Sequence, residues 1–263
     1  MHPIDCAASP LDRYAYSVDT PCVRMRLTRL ATPNGPVTGQ YVDGVVYADD
    51  GRYEVGRDGS LLPPCTPSAL YCVGRNFADT LEQMEYDRPE EPDFFIKPPT
   101  SLIGHGETIP YPTFTEELTY AGELAAVIDE RCRSLTPDEV PDVVRGYTIM
   151  NDVDALDQAG RTARKAFDGS APLGPWIETD VDPTAIDMWT DVSGDRRQES
   201  TTELMLFDPF EVISFLSERF TFSSGDVVAF GSPANPGLIE QGDSIEVTYD
   251  GIGTLYNSVG ESL

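Results

Sequence analysis

The chain has 263 residues, 40% of them hydrophobic and 10% aromatic, which is apolar material for a folded domain rather than for a disordered acidic tail. Its 45 acidic residues against 18 basic ones leave a formal net charge of −27, a field that repels nucleic acid and anionic membrane faces. Sixteen of the basic residues are arginine and lysine survives only at Lys97 and Lys165, a composition suited to concentrated salt, where repulsion between carboxylates is screened within about 3 Å at 1 M.

Residues 1–24 show no periodicity and are expected to be a disordered leader, without the basic-then-apolar pattern of a secretory signal. From Met25 to about residue 65, strand-like alternation broken at Asn34-Gly35, Asp43-Gly44 and Asp50-Gly51 predicts a small N-terminal β unit. A proline-bearing connector leads into the main domain, residues 66–263. There Ala69 to Gly74 reads as a strand, Phe77 to Tyr86 as a weak helix, and Asp87 to Pro99 as irregular because of its prolines. Leu118 to Ile128, Val144 to Met150, Asp226 to Phe230 and Ile245 to Tyr249 are predicted strands, with Asp250-Gly251 turning the chain into Ile252 to Val259.

Helix signals are fewer. Thr136-Pro137-Asp138-Glu139 is a capping box that Pro141 limits to about a turn, and Asp208-Pro209-Phe210-Glu211 opens a longer helix with Val212, Phe215, Leu216 and Arg219 at helical spacing. Scattered strands with few helices define a β-rich α+β fold. The five cysteines form no C-x-x-C pair and read as free thiols of a reducing compartment. No run of eighteen apolar residues is present to span a bilayer, and the expected location is the cytoplasm.

Counting narrows the chemistry. Two histidines, His2 and His105, cannot build a multi-histidine metal centre, and nucleophile-elbow, phosphate-loop and dinucleotide motifs are all missing. Oxygen ligation of a hard cation remains. Glu123 lies among small and apolar residues of a strand, and Asp152 stands where the Tyr147 to Met150 strand leaves the core; two such carboxylates suit Mg²⁺ or Mn²⁺ when substrate and water complete the shell. On spacing alone, Glu123 at a solvated sheet edge and Asp152 capping a turn describe the same pattern.

A string of motifs resembles the fumarylacetoacetate hydrolase family, here as an acidic, haloarchaeal-type member. Tyr71-Cys72-Val73-Gly74-Arg75-Asn76-Phe77 is similar to its C-V-G-R-N-Y signature, and Phe94 to Ser101 to its F-x-K-P-x-S segment. Gly122 to Ile128, Gly146 to Asp152, Lys165-Ala166-Phe167-Asp168, Phe230-Gly231-Ser232-Pro233-Ala234 and Gly251 to Asn257 continue the match in order. The resemblance implies a mixed β-sandwich roll, a homodimer, and a divalent metal polarising a small 2-oxo acid. It implies metal ligation by Glu123 and Asp152, charge stabilisation by Lys165, and substrate contacts from Arg75 and Ser232.

The departures from the family pattern point away from hydrolysis. Ala121 replaces the first glutamate of the family's E-x-E, Leu156 stands in place of an arginine, and Thr80 and Gln83 stand where a lid carries a histidine and a glutamate that activate water. Neither Thr80 nor Gln83 can act as a base at neutral pH. Asp154, two residues after Asp152, is the candidate substitute ligand, and Lys97 is expected to bond loop carbonyls. The expectation is a metal-dependent isomerase, decarboxylase, dehydratase or C–C hydrolase acting through an enolate, the alternative being a non-catalytic member that binds a carboxylate metabolite or a protein.

Overall fold

The computed structural model describes residues 25–85 and 87–261, so the expected leader at 1–24 lies outside the described residues. Two sheets face each other. The larger is a 12-stranded mixed sheet, and the smaller has five strands, among them Asp187–Val192, Asp195–Thr201, Ser244–Tyr249 and Gly253–Gly260. Even-numbered residues of the Gly122–Ile128 strand, Leu124, Ala126 and Ile128, join Met188, Val247, Tyr249 and Leu255 in the core between the sheets. The Pro209–Arg219 helix adds Val212, Ile213 and Leu216 to that core, and the Asp208 carboxylate caps its Phe210 and Glu211 N–H groups as its sequence predicts.

The large sheet rolls up on itself. Its strands run in the order Ala171–Glu178, Val144–Asn151, Gly122–Ile128, Val227–Ala229, Leu70–Gly74 and Asp93–Lys97. The chain leaving Lys97 turns at Pro99–Ser101 and returns as Leu102–Ile103, which pairs in parallel with Ala171 and Pro172. The space so enclosed is narrow and filled mainly by small and medium side chains, Cys72, Ala125, Val127, Met150, Ala171 and Ala229 among them. Side chains alternate across a strand, so Glu123 shares the inward face with Ala125 and Val127. Its cross-strand partner is Met150, and Asp152 lies two residues beyond Met150 on that same face. Lys97 joins them as the partner of Leu70.

The N-terminal strands Arg26–Thr32, Gly35–Val42, Val45–Ala48 and Gly51–Glu54 form a meander that extends the large sheet, because Arg26 and Leu27 pair with Glu178 and Ile177. Asp43-Gly44 turns the chain between strands as expected, whereas the other two turns lie one residue earlier, at Pro33-Asn34 and Asp49-Asp50, and Gly35 and Gly51 open the strands that follow.

Three local expectations are corrected. Asp93–Lys97 is a strand, because Pro92 and Pro98 flank it instead of interrupting it and its N–H groups are free to pair with Leu70–Gly74. The predicted Leu118 to Ile128 strand breaks at Tyr120-Ala121: Leu118–Thr119 pairs with Asp154–Ala155, and a new strand begins at Gly122. The Thr136 capping box leads into a seven-residue 3₁₀ helix, Pro137–Val143, longer than one turn.

Gly122, next to Glu123, packs directly against the facing sheet. A Cβ there would stand 2.7 Å from both Thr190 Oγ1 and Val247 Cγ1 of the facing sheet. Gly122→Ala is therefore expected to destabilise the fold by about 1–3 kcal/mol through overpacking, read as a lowered denaturant midpoint with an unchanged slope.

Candidate active site

Four charged side chains converge inside one end of the roll. Lys97 is completely buried, and its ammonium donates to the main-chain carbonyls of Val153 (3.1 Å) and Ser170 (2.6 Å). It also lies 2.7 Å from Asp152 Oδ1 in an ion pair. Lys165, at the end of the short Arg161–Lys165 helix, donates to Asp152 Oδ2 and lies 3.2 Å from Asp154 Oδ2. One buried aspartate thus holds two ammonium groups, which are the chain's two lysines.

Glu123 completes the group. It is 3% exposed, and its Oε2 accepts from the Gly231 N–H at 3.1 Å. Burial, reinforced by the Asp152 charge, pushes its carboxyl up to about 8, against the pull of Lys165, the Gly231 N–H and Lys97. At Asp152 burial also favours the neutral acid, but Lys165 and Lys97 outweigh it and hold the carboxyl below its ordinary value. Burial works against the Lys165 charge, yet Asp152 and Asp154 lift its ammonium to about 12. Lys165 is a fixed cation at neutral pH.

Asp154, the candidate substitute ligand, is held by cationic side chains as Asp152 is. Its carboxylate is taken by the forked guanidinium of Arg164, with Nε 2.9 Å from Oδ1 and Nη2 on Oδ2, and by Lys165. Among the described residues no group of three or more histidine, cysteine, aspartate or glutamate side chains is arranged to hold a metal. Glu123 and Asp152 come from neighbouring strands and their charges act on each other. Their chemistry fits a hard divalent cation that keeps open positions for water and a chelating ligand. Glu123 is a buried carboxylate short of positive charge, and a cation beside it supplies what its burial lacks.

The remaining sequence candidates frame this cluster. Arg75 ends the Leu70–Gly74 strand with φ +57° and places Nε 3.8 Å from Asp93, whose carboxylate also takes Arg161 at 2.7 and 2.8 Å. Ser232 follows Gly231, the residue that holds Glu123. Thr80 and Gln83 lie in the Ala78–Met84 helix and grip the loop carrying Ser232: Thr80 Oγ1 donates to Ser232 O at 3.0 Å, Gln83 Nε2 donates to Asn235 Oδ1 at 2.9 Å, and Asn235 N donates to Gln83 Oε1 at 2.8 Å. Leu156 is 40% exposed just after the Asp154–Ala155 pair, and His105 accepts from Tyr256 N at a distance from the cluster in sequence and in partner set. Sequence reasoning missed the Lys97–Asp152 pair, the Arg164–Asp154 fork and Gln198; the survival of only two lysines was the signal that could have joined Lys97 to the site.

The C-terminal domain model of fumarylacetoacetate hydrolase matches residues 69–260, and the chain belongs to this family. A 5-carboxymethyl-2-hydroxymuconate delta-isomerase structure from Mycobacterium smegmatis superimposes with a TM-score of 0.83 at 37% identity, covering 91% of this chain and 100% of that one. The oxaloacetate tautomerase YisK of Bacillus subtilis is 34% identical over 208 residues, 73% of this chain and 69% of its own. A maleylpyruvate hydrolase from Sphingobium, solved with manganese(II) and pyruvate, has a TM-score of 0.79 at 25% identity over 91% of this chain and 100% of that one. Enzymes of the family are generally dependent on divalent metals and act on small oxo acids and related carboxylates. Among the described residues no helix is long and apolar enough to cross a membrane.

The raised Glu123 carboxyl sets a pH dependence for metal-free protein. Folded Glu123 keeps its proton up to about 8 while the unfolded side chain ionises near 4.5, so the native state binds the extra proton between these values. Its contribution to stability is complete below about 4.5 and is lost as pH rises through about 8. In chelator-treated protein, Glu123→Gln is expected to flatten the fall of the melting temperature over this interval, measured by calorimetry at constant high salt.

Proposed function

We propose that this protein is a cytoplasmic, divalent-cation-assisted enzyme that enolises a small 2-oxo acid, with tautomerase or isomerase turnover ahead of hydrolysis. The observation that carries the reading is the convergence of Glu123, Asp152 and Lys165 in one buried cluster where the Glu123 charge is under-compensated. Glu123 and Asp152 would hold Mg²⁺ or Mn²⁺. When bound, such an ion supplies Lewis acidity toward the 2-oxo group.

The chain's own groups do the rest. Lys165, kept charged by Asp152 and Asp154, stabilises the negative charge that grows on the 2-oxo oxygen as the proton of the neighbouring carbon passes to solvent water, which returns a proton to that oxygen to give the enol. Ser232 and Arg75 bind the carboxylate end and orient it. Thr80 and Gln83 contribute no base, and both are hydrogen-bonded to the Ser232 loop, so activation of a water for C–C hydrolysis lacks its proton acceptor. The tautomerase and isomerase names of the relatives agree with chemistry that ends at the enolate. The oligomer proposed is a homodimer. A second reading, carboxylate binding without turnover, is favoured by that same capture of Thr80 and Gln83.

The test begins with calorimetric titration of Mn²⁺ into the full chain in concentrated KCl, with and without oxalate as an enolate mimic. Saturable Mn²⁺ binding that oxalate tightens is expected, and Glu123→Gln is expected to weaken it by at least about tenfold. Glu123→Gln is the sharper control than Asp152→Ala, because removing Asp152 takes the paired carboxylate from fully buried Lys97 and leaves Lys165 with Asp154 alone. No binding by the wild-type protein would overturn the metal assignment.

Turnover is tested by following enol–keto equilibration of oxaloacetate spectroscopically. Lys165→Met is expected to lower kcat about 10²-fold or more, with C–C hydrolysis of oxaloacetate undetected in both proteins. Oxalate binding without any acceleration of equilibration would leave the binding protein as the surviving reading.

A further inference from the structure

Gln198 lies within Asp195–Thr201, an edge strand of the smaller sheet, yet it is completely buried. Its amide makes contacts in two directions. Oε1 receives the Gly122 N–H at 3.2 Å and the Thr190 hydroxyl at 3.0 Å. Nε2 faces Ser232 Oγ at 2.9 Å, Pro233 O at 3.0 Å and Ala234 O at 3.2 Å. One side chain therefore joins the residue before Glu123 to the loop that carries Ser232.

The orientation of this amide follows from its partners. Oxygen and nitrogen of a glutamine are alike in shape and must be assigned from the surrounding network. A main-chain N–H can only donate and a main-chain carbonyl can only accept. Gly122 N on one side requires the oxygen, and the carbonyls of Pro233 and Ala234 on the other require the nitrogen, so no flipped amide satisfies both sets.

That polarity passes to Ser232. Its Oγ stands before an N–H donor and accepts there, so its own hydrogen must go elsewhere. The acceptor within the loop, Pro233 O, is 3.5 Å away, at the outer limit for a hydrogen bond. The loop is further held at its Ser232 and Asn235 positions by Thr80 and Gln83. A hydroxyl that accepts from Gln198 retains its hydrogen for another acceptor, and an anionic carboxylate is the strongest acceptor that a 2-oxo acid presents.

We propose that Gln198 is a positioning residue that fixes Ser232 as a hydrogen-bond donor toward the ligand's carboxylate, and ties this donor to the strand bearing Glu123. The inference rests on the reading of the site as one for 2-oxo acids. Gln198 touches neither ligand nor cation and acts through Ser232 and Gly122.

The experiment is calorimetric titration of Mn²⁺ and then of oxalate into the full chain in concentrated KCl, for wild type, Gln198→Glu, Ser232→Ala and the double variant. Gln198→Glu keeps the acceptor for Gly122 and Thr190 but removes the amide N–H; Gln198→Met, close in length, replaces it if the buried acid prevents folding. Mn²⁺ affinity is expected to change by less than about threefold, whereas oxalate affinity falls about tenfold in each single variant, the loss of one charge-assisted hydrogen bond. The double variant should be no weaker than Ser232→Ala, because both changes remove the same bond. Oxalate binding by Gln198→Glu and Gln198→Met at the wild-type level would overturn the inference, and so would full addition of the two losses. Should wild type bind neither Mn²⁺ nor oxalate, the enolate reading fails separately. Amide exchange at Gly231, Ser232, Ala234 and Asn235 then decides whether Gln198 positions the loop: exchange about tenfold faster in Gln198→Met supports it, and unchanged exchange overturns it.

Discussion

A buried aspartate with an ammonium on each side organises this end of the molecule. Asp152 is 2% exposed and would not remain ionised there alone; Lys97 and Lys165 make its charge tolerable, and it does the same for theirs. The arrangement fixes chain segments far apart in sequence. Lys97 ends a strand of the roll, bonds the carbonyls of Val153 and Ser170, and so draws the loops on either side of the Arg161–Lys165 helix against the sheet. Breaking a buried pair of this kind by removing one partner costs about 3–5 kcal/mol, so stability and site geometry are held by one interaction.

The charge of the cluster constrains what can enter it. Glu123, Asp152 and Asp154 stand against Lys97, Lys165 and Arg164, three acids and three bases, and the count is zero when Glu123 is ionised. A divalent cation alone would leave an excess of two positive charges in a poorly solvated place. A doubly charged oxo acid would restore neutrality. Cation and dianion are therefore expected to favour each other's binding, and a site with a third ligating carboxylate, such as Ala121 forgoes, would balance differently.

Much of this was legible in the sequence, for reasons that can be stated residue by residue. The Asp208 capping box and the Asp43-Gly44 turn are local chemistry, and local chemistry held. Glu123, Asp152 and Lys165 were singled out by the family resemblance, since spacing alone left Glu123 at a solvated sheet edge and Asp152 capping a turn as an equal description. The strand at Asp93–Lys97 was hidden by its flanking prolines, although neither proline removes a hydrogen bond that the strand makes. The fate of Asp154 depended on Arg164 returning from a helix ten residues later, a pairing that two-residue spacing to Asp152 could not foretell. Gln198 gave no signal at all, since an isolated glutamine in a polar strand looks like surface until a second sheet covers it.

The acidic surface and the balanced interior answer different demands. A formal charge of −27 opposes the approach of any anion at low ionic strength, the ligands favoured here included. Concentrated salt shortens the reach of that field to about 3 Å at 1 M, less than the depth of one layer of side chains, so a ligand inside the roll responds to Lys165, Asp152 and Glu123 and hardly to the exterior. Substitution pressure toward acid can then act on exposed positions without altering the site, provided the buried cations are spared. Both lysines of the chain lie at that site, where replacement by a carboxylate would leave Asp152 facing a like charge in a medium that cannot screen it.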